Sequence, residues 1–204
     1  MEFDKYKAVI FDLDGTIFDK SWLPLRLVMA DLFNVPILWA ERKARKILKG
    51  IDFGNEESFY DALFAKMSEI KNGLTPEKAR RWYFDRYMPL QVAALEHYYT
   101  PRPFIDVLIQ SLRDKGIKTI LYSDYGSAKE KLVALNLDPA YFDIIASSQE
   151  LGGLKPSQAS MQRLLSKIGV PASQCLMIGD REDTDGASAA SVEMEYRGID
   201  VLTY

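Results

Sequence analysis

The residues most able to do chemistry in this sequence are acidic, and they form two clusters. The first contains Asp12 and Asp14, which end an apolar run in KAVIFDLDGTIFD. The second lies in GDREDTDG and contains Asp180, Asp183 and Asp185. Clustered carboxylates suit a hard cation such as Mg²⁺, which takes oxygen ligands and usually keeps waters and a substrate phosphate. The clusters therefore indicate a metal site that could act on a phosphorylated ligand.

Two further polar residues follow other apolar runs and suit the same ligand. Ser123 lies in LYSDYG, and Lys155 lies in GGLKPS. Ligands of open α/β sheets bind beyond the carboxyl ends of the strands, so we expect both residues at one rim with the aspartates. Alone, each residue is more typical of a turn or a solvated loop. As a set, a hydroxyl and a lysine opposite a cation could bind a phosphoryl group.

The amino-acid counts exclude several other kinds of chemistry. The 204 residues include one histidine, His97, and one cysteine, Cys175. Disulfide frameworks, Cys/His zinc sites and most Ser-His or Cys-His catalysis are thereby excluded. The net charge of −3 gives no case for nucleic-acid binding. With no apolar run of spanning length and no signal-like start, we expect a soluble cytoplasmic protein without a membrane partner.

Short apolar runs predict the strands that position these residues. They lie at 7–11, 117–122, 142–146 and 175–178. Helical patterns at 103–115, 127–136 and 157–168 alternate with them. Alternating strands and helices predict βαβ units, and hence an α/β fold with a doubly wound parallel sheet. The chain after the last acidic cluster leaves room for one or two short edge strands.

Residues 20–98 interrupt this alternation, because they contain helical patterns and no convincing strand. The patterns lie near 23–34, 37–49, 56–71 and 76–97. Thr75 is a predicted N-cap, with Pro76 at the first helical position. We predict a core domain made of 1–19 and 99–204, with an inserted all-helical module at 20–98.

Four short motifs, in order, resemble those of the haloacid dehalogenase superfamily of phosphotransferases and hydrolases. They are DLDGT, LYSDYG, LKP and GDREDTDGASAA. One such motif would be weak evidence, whereas four in order at strand ends are specific. The helical insertion resembles the C1-type cap of the phosphoglycolate-phosphatase-like branch. The resemblance thus implies a Rossmann-like core that carries a cap.

The resemblance also assigns catalytic and metal-binding roles. Asp12 would be the nucleophile that forms an aspartyl-phosphate, splitting one difficult displacement into two easier steps. Asp14 would protonate the leaving oxygen and later activate water. Mg²⁺ would be held by Asp12, the Asp14 backbone carbonyl and Asp180. Asp185 would support the metal from behind these ligands or through water.

Phosphate binding would fall to Ser123 and Lys155, together with Asp124. Members of the family often have asparagine in place of Asp124, so its negative charge either tunes the phosphate contacts or points away. Asp183 and Asp185 are alternatives for supporting the metal. We favour Asp185, because the longer spacing from Asp180 fits variants of the fourth motif better, and Asp183 could cap the following helix.

The presence of Asp14 helps to choose between reactions. Dehalogenases and phosphonate-cleaving members of the superfamily lack this acid, so it favours Mg²⁺-dependent hydrolysis of a small phosphorylated metabolite. A sugar-phosphate mutase similar to β-phosphoglucomutase and a non-catalytic binding protein stay open as alternatives, as do the substrate and the oligomeric state. The basic residues of 41–46 and 77–81, with Arg86, are interpreted as solvated helix faces rather than a substrate site.

Overall fold

The computed structural model of the protein describes residues 3–202, which contain one five-stranded parallel sheet. The strands are β1 (Ala8–Phe11), β2 (Lys118–Ser123), β3 (Ile144–Ser147), β4 (Cys175–Gly179) and β5 (Glu195–Gly198). Their order across the sheet is β3-β2-β1-β4-β5. The doubly wound parallel fold is therefore confirmed. The fifth strand is the short edge strand for which the sequence left room.

The central strand β1 fixes where the first acidic cluster lies. Ala8 pairs with Lys118 of β2 on one side and with Cys175 of β4 on the other. All four residues of β1 are buried, as expected of a strand covered on both faces of a parallel sheet. The carboxyl end of β1 consequently lies between those of β2 and β4.

Five α-helices follow β1 within residues 20–98. They are α1 (Leu23–Ala30), α2 (Val35–Leu48), α3 (Glu56–Ile70), α4 (Pro76–Trp82) and α5 (Met88–Tyr98). The predicted helix at 23–34 ends early, because the Asp31 backbone leaves the helical region and a 3₁₀ turn follows at Leu32–Asn34. Thr75 caps α4, as predicted, by accepting a hydrogen bond of 3.3 Å from the Lys78 amide.

The single helix predicted at 76–97 is interrupted by a π-helical segment at Tyr83–Tyr87. Pro89, near the start of α5, lacks the amide hydrogen that would bond to the carbonyl of residue 85 in a regular α-helix. The wider turn accommodates this missing bond. Segments of this kind are common near functional sites.

The remaining helices cover the sheet. They are α6 (Ile105–Asp114), α7 (Ala128–Ala134), α8 (Gln158–Ile168) and the short α9 (Ala187–Ala190). Alternate residues of β1 face two separate hydrophobic clusters, one containing Val9 and Phe11 and the other Ala8 and Ile10. The first cluster continues into the inserted helices. Cys175 is buried in the second.

Across residues 3–202, no single helix has the length and apolar character needed to cross a membrane. Helix α1 passes that test only when joined to Leu32–Leu48, and this pair is bent by 100°.

Candidate active site

The carboxyl ends of the strands bring the predicted residues to one rim. Asp12 directly follows β1, Ser123 ends β2, and Asp180 directly follows β4. Lys155 lies in the loop between β3 and α8, next to a cis peptide bond with Pro156. Residues far apart in the chain, such as Asp12 and Asp180, thus meet at one place.

Lys155 links the two acidic clusters. Its Nζ donates hydrogen bonds of 2.6 Å to Oδ1 of Asp12 and 2.6 Å to Oδ1 of Asp185. A third bond, of 3.2 Å, reaches the Tyr122 carbonyl at the end of β2. Lys155 and Asp185 are each only 2% exposed at their side chains, so the ion pairs are shielded from water. The lysine ammonium is therefore fixed beside the predicted nucleophile.

The electrostatics of this pair follow from burial. Burial raises the pKa of the Asp12 carboxyl to about 7, although the Lys155 ammonium acts in the opposite direction. Burial also disfavours the charged form of Lys155, but attraction to Asp12 and Asp185 outweighs it, and the pKa of Lys155 lies well above its ordinary value. The lysine is thus charged at neutral pH.

The turn after Asp12 brings the backbone close to the second cluster. The Thr16 hydroxyl donates a hydrogen bond of 3.0 Å to Oδ2 of Asp12 and so orients the carboxylate. Gly15 has φ +108°, and a Cβ atom on it would lie 2.4 Å from Oδ2 of Asp180. Only glycine permits this conformation together with this close approach.

Asp14 is held by two side chains from the region of β2 and α7. Nζ of Lys131 lies 3.0 Å from Oδ1 of Asp14, and the Ser123 hydroxyl lies 3.2 Å from Oδ2. Lys131 is fully buried. A third lysine, Lys20, donates a hydrogen bond of 2.7 Å to the Asp14 backbone carbonyl. Both the side chain and the backbone of Asp14 therefore lie beside cationic groups.

Three carboxylates could hold a metal ion together. One oxygen from each of Asp12, Asp180 and Asp185 lies within 4.8 Å of the others. An all-oxygen set of this kind fits Mg²⁺. Independent support comes from Lys20, whose Nζ lies 2.6 Å from Oδ2 of Asp180 while bonding the Asp14 carbonyl. Two of the oxygens predicted to bind the metal are thus in contact with one ammonium group.

The two alternatives for supporting the metal have different surroundings. Asp183 is exposed and bonds Arg181 and Lys49, and these hydrogen bonds lower its pKa to about 2. Asp185 is buried and faces Lys155. The surroundings therefore favour Asp185, although its part in metal binding stays a prediction.

The carboxylate and the backbone carbonyl of Asp124 both accept hydrogen bonds from other residues of the protein. Its carboxylate accepts a hydrogen bond of 2.9 Å from the Lys155 amide, which connects the loop after β2 to the loop that carries Lys155. Its backbone carbonyl accepts hydrogen bonds from Gln149, at 2.7 Å, and from Arg45. The carboxylate thus braces the loop of Lys155, and contact with phosphate stays a prediction.

The interpretation of 41–46 as a solvated face is wrong for two of its residues. Glu41 and Arg45 are buried. The guanidinium carbon of Arg45 lies 4.1 Å from the centre of the Tyr125 ring, and the guanidinium donates a hydrogen bond to the Asp124 carbonyl. Burial raises the pKa of Glu41 to about 7, against the opposing effect of Arg45. The Arg45 contacts fasten α2 to the loop that follows β2.

Sequence patterns missed the roles of Lys20 and Lys131. A signal for Lys131 exists, because it stands three residues after Ala128 and four before Leu135, on the stripe of α7 that faces the interior. Lys20 carries no comparable signal, since it follows the turn of the first motif and resembles an ordinary surface residue. Only the fold shows that it reaches Asp180.

The family model for haloacid dehalogenase-like hydrolases matches residues 6–193. With the sheet and rim described above, this match covers most of the chain. The chain belongs to the haloacid dehalogenase-like hydrolases. The predicted family and the enzyme class are thus confirmed.

Curated relatives include several phosphatases. Phosphoglycolate phosphatase of Rhodospirillum rubrum is 29% identical over 190 residues, which cover 90% of this chain and 75% of that protein. Glyceraldehyde 3-phosphate phosphatase of Methanocaldococcus jannaschii is 26% identical over 193 residues, covering 92% and 82%. The Arabidopsis thaliana chloroplast protein SUPPRESSOR OF QUENCHING 1 is 27% identical over 186 residues, and the chain spans 16% of its length.

Solved structures share the fold. The HAD-hydrolase YfnB of Bacillus subtilis, bound to magnesium, has a TM-score of 0.64 and 17% sequence identity. The match covers 94% of this chain and 87% of that chain. At this identity the likeness concerns the fold alone.

Proposed function

We propose that the protein is a Mg²⁺-dependent phosphatase that hydrolyses a small phosphate monoester through an aspartyl-phosphate on Asp12. The observation that carries the proposal is the pairing of Asp12 with the buried ammonium of Lys155 at 2.6 Å, with Asp14 at the same rim. The relatives that are named as phosphatases support the reaction class. Because these relatives differ in substrate, we assign only a small phosphorylated metabolite.

In this proposal Asp12 attacks the phosphorus atom and the bond from phosphorus to the leaving oxygen breaks. Thr16 and Lys155 each hold one oxygen of the Asp12 carboxylate, so they orient the nucleophile before substrate binds. The Lys155 ammonium also lies where negative charge develops on the phosphoryl oxygens, and the Ser123 hydroxyl would bind the same group.

Asp14 would give a proton to the leaving oxygen and later take one from the water that cleaves the aspartyl-phosphate. Ser123 and Lys131 hold its carboxylate in place. Lys131 is fully buried, so the position of Asp14 depends on a partner that cannot move far. Lys131 is therefore proposed as a positioning residue.

The metal would be bound by Asp12, the Asp14 carbonyl and Asp180, with Asp185 in support. When bound, Mg²⁺ would reduce the repulsion between the attacking carboxylate and the phosphate. Oxygens of the three carboxylates lie within 4.8 Å of one another, which supports this assignment.

The division into a core of 1–19 and 99–204 and a cap of 20–98 forms part of the proposal. The helices α1–α5 fall within the proposed cap, and two cationic residues from α2 and its end contact loops of the rim. Arg45 bonds the Asp124 carbonyl, and Lys49 bonds Asp183 at 2.7 Å. We propose that these contacts close the site over the substrate, and that the protein acts in the cytoplasm.

The test is release of phosphate from p-nitrophenyl phosphate and from a panel of phosphorylated metabolites, with and without Mg²⁺. We expect Mg²⁺-dependent release by the natural protein and none above background by Asp12→Asn. Formation of a sugar-phosphate isomer without free phosphate would favour a mutase instead. Failure to release phosphate from any compound in the panel, by a folded protein, would contradict the proposal.

A further inference from the structure

Lys20 lies four residues after the end of the first motif and contacts two oxygens of the candidate metal site. Its Nζ is 2.7 Å from the Asp14 carbonyl oxygen and 2.6 Å from Oδ2 of Asp180. The two oxygens come from the ends of neighbouring strands, β1 and β4. The lysine ammonium therefore bridges these strands at the rim, where it neutralises one of the carboxylates.

The local backbone leaves room for this bridge. A Cβ atom at Gly15 would lie 2.8 Å from Nζ of Lys20, and also too close to the Asp180 carboxylate. Replacing the glycine would therefore displace the ammonium, the carboxylate or both. The ammonium and carboxylate are packed against the one residue in the turn that has no side chain.

An ammonium in this position and a divalent cation cannot use the site independently. Mg²⁺ binds oxygen at about 2.0–2.1 Å. An ion on Oδ2 of Asp180 would therefore lie within about 4.7 Å of Nζ of Lys20 if the lysine stayed in place. Two positive charges this close repel each other strongly in a partly buried setting. Binding of the ion and the Lys20 bridge thus oppose each other.

We propose that Lys20 is an internal competitor for the divalent cation, and this inference rests on the proposed function. Its ammonium stands in for the metal by holding the Asp14 carbonyl and Asp180 together, and it leaves both oxygens when the metal binds. Part of the metal's binding free energy is then used to break the bridge. Lys20 therefore sets the metal affinity of the site below that of the oxygens alone.

The test is calorimetric titration of the metal-stripped full-length protein with Mg²⁺ alone, at constant ionic strength and neutral pH. We expect Lys20→Met to lower the Kd for Mg²⁺ about tenfold, which corresponds to about 1.4 kcal/mol. Lys20→Arg keeps the positive charge, so its Kd should stay within about threefold of the natural protein. Circular dichroism checks that each variant is folded.

Lys115→Met is the matched control, because Lys115 also pairs with an aspartate, Asp4 at 2.8 Å, but lies just before β2 at the opposite end of the sheet from the rim. A Kd that changes less than about threefold in this control separates a specific bridge from general loss of positive charge. An unchanged or higher Kd in Lys20→Met would overturn the inference while leaving the proposed function in place. Absence of Mg²⁺ binding in every variant would overturn both.

Discussion

Nζ of Lys155 lies 2.6 Å from Oδ1 of Asp12, and neither side chain has appreciable contact with solvent. The lysine also faces Asp185 at the same distance. One buried cation is therefore shared by two buried carboxylates, and a phosphoryl group would be its third anionic partner. Lys155 should therefore affect both folding stability and catalysis, because the ammonium that stabilises the folded site is also the proposed phosphate ligand.

We expect Lys155→Met to lower kcat by about 100- to 1,000-fold, the usual cost of removing one electrostatic donor from an active site. The free energy of unfolding should also fall by about 3 kcal/mol, because two buried carboxylates lose their counterion. Steady-state kinetics and urea unfolding measure the two effects. Lys167→Met removes an exposed lysine of α8 and serves as the control. Full activity in Lys155→Met would refute the assigned role.

Changing each aspartate of the first motif to asparagine should impair a different step of the reaction. Asp12→Asn removes the nucleophile, so we expect no burst of product with any substrate. Asp14→Asn keeps the nucleophile but loses the acid and base, so an activated ester such as p-nitrophenyl phosphate should give a burst followed by turnover slowed about 100- to 10,000-fold. Stopped-flow detection of nitrophenolate separates these outcomes. A burst in Asp12→Asn would mean that another residue is the nucleophile.

Lys131→Met should disturb Asp14 without touching the phosphate site. The buried ammonium lies 3.0 Å from Oδ1 of Asp14, so its loss frees the carboxylate to move. We expect kcat to fall about 10- to 100-fold for alkyl phosphates, whose leaving groups need a proton, with little change in KM. The loss should be smaller for the burst with p-nitrophenyl phosphate. Equal losses for both substrates would indicate a purely structural role, and Lys129→Met on the exposed side of α7 is the control.

Glu41 should make stability depend on pH. Burial raises the pKa of its carboxyl from 4.5 to about 7 in the folded protein, against the opposing charges of Arg45 and Arg42. Between these values the unfolded chain releases a proton that the folded chain retains. The contribution of Glu41 to stability is therefore fully present below pH 4.5 and declines as the pH rises to about 7. The full change is about 3 kcal/mol at 1.36 kcal/mol per pKa unit.

Urea unfolding of the natural protein and Glu41→Gln over this pH range measures the effect as a difference. Groups that titrate in both proteins cancel, so only the contribution of Glu41 remains. We expect the variant to become more stable relative to the natural protein as the pH rises. The control is Glu57→Gln, which changes an exposed glutamate near the start of α3. Parallel stability curves for the natural protein and Glu41→Gln would contradict the prediction.

The centre of the sheet could be predicted from the sequence because β1 and β4 are buried along their whole length. Residues 8–11 include no polar residue and are followed by Asp12, so both the strand and its carboxyl end can be predicted from this short segment alone. The lengths of the helices within residues 20–98 could not be predicted as well from the sequence. The early end of α1 and the π-helical segment after α4 depend on backbone geometry and on the absent amide hydrogen of Pro89.

The rim residues that belong to a motif could be predicted from the sequence. Those that only the fold brings to the rim could not. Lys131 and Asp14 are 117 positions apart, and Arg45 and Asp124 are 79 apart. The ERKARK segment has the charge pattern of a solvated helix, yet Arg45 is buried because it meets Tyr125 and the Asp124 carbonyl from another part of the chain. Local patterns carry no information about such partners.

Covalent capture of the intermediate tests the proposed reaction most directly. Asp14→Asn would be mixed with Mg²⁺ and p-nitrophenyl phosphate, stopped with acid and treated with borohydride, which reduces an aspartyl-phosphate to homoserine. Peptide mass spectrometry then locates the reduced residue. We expect homoserine at position 12, dependent on Mg²⁺ and absent when the Asp12→Asn change is added. Rapid release of nitrophenolate with no reduced residue at position 12 would contradict the aspartyl-phosphate mechanism.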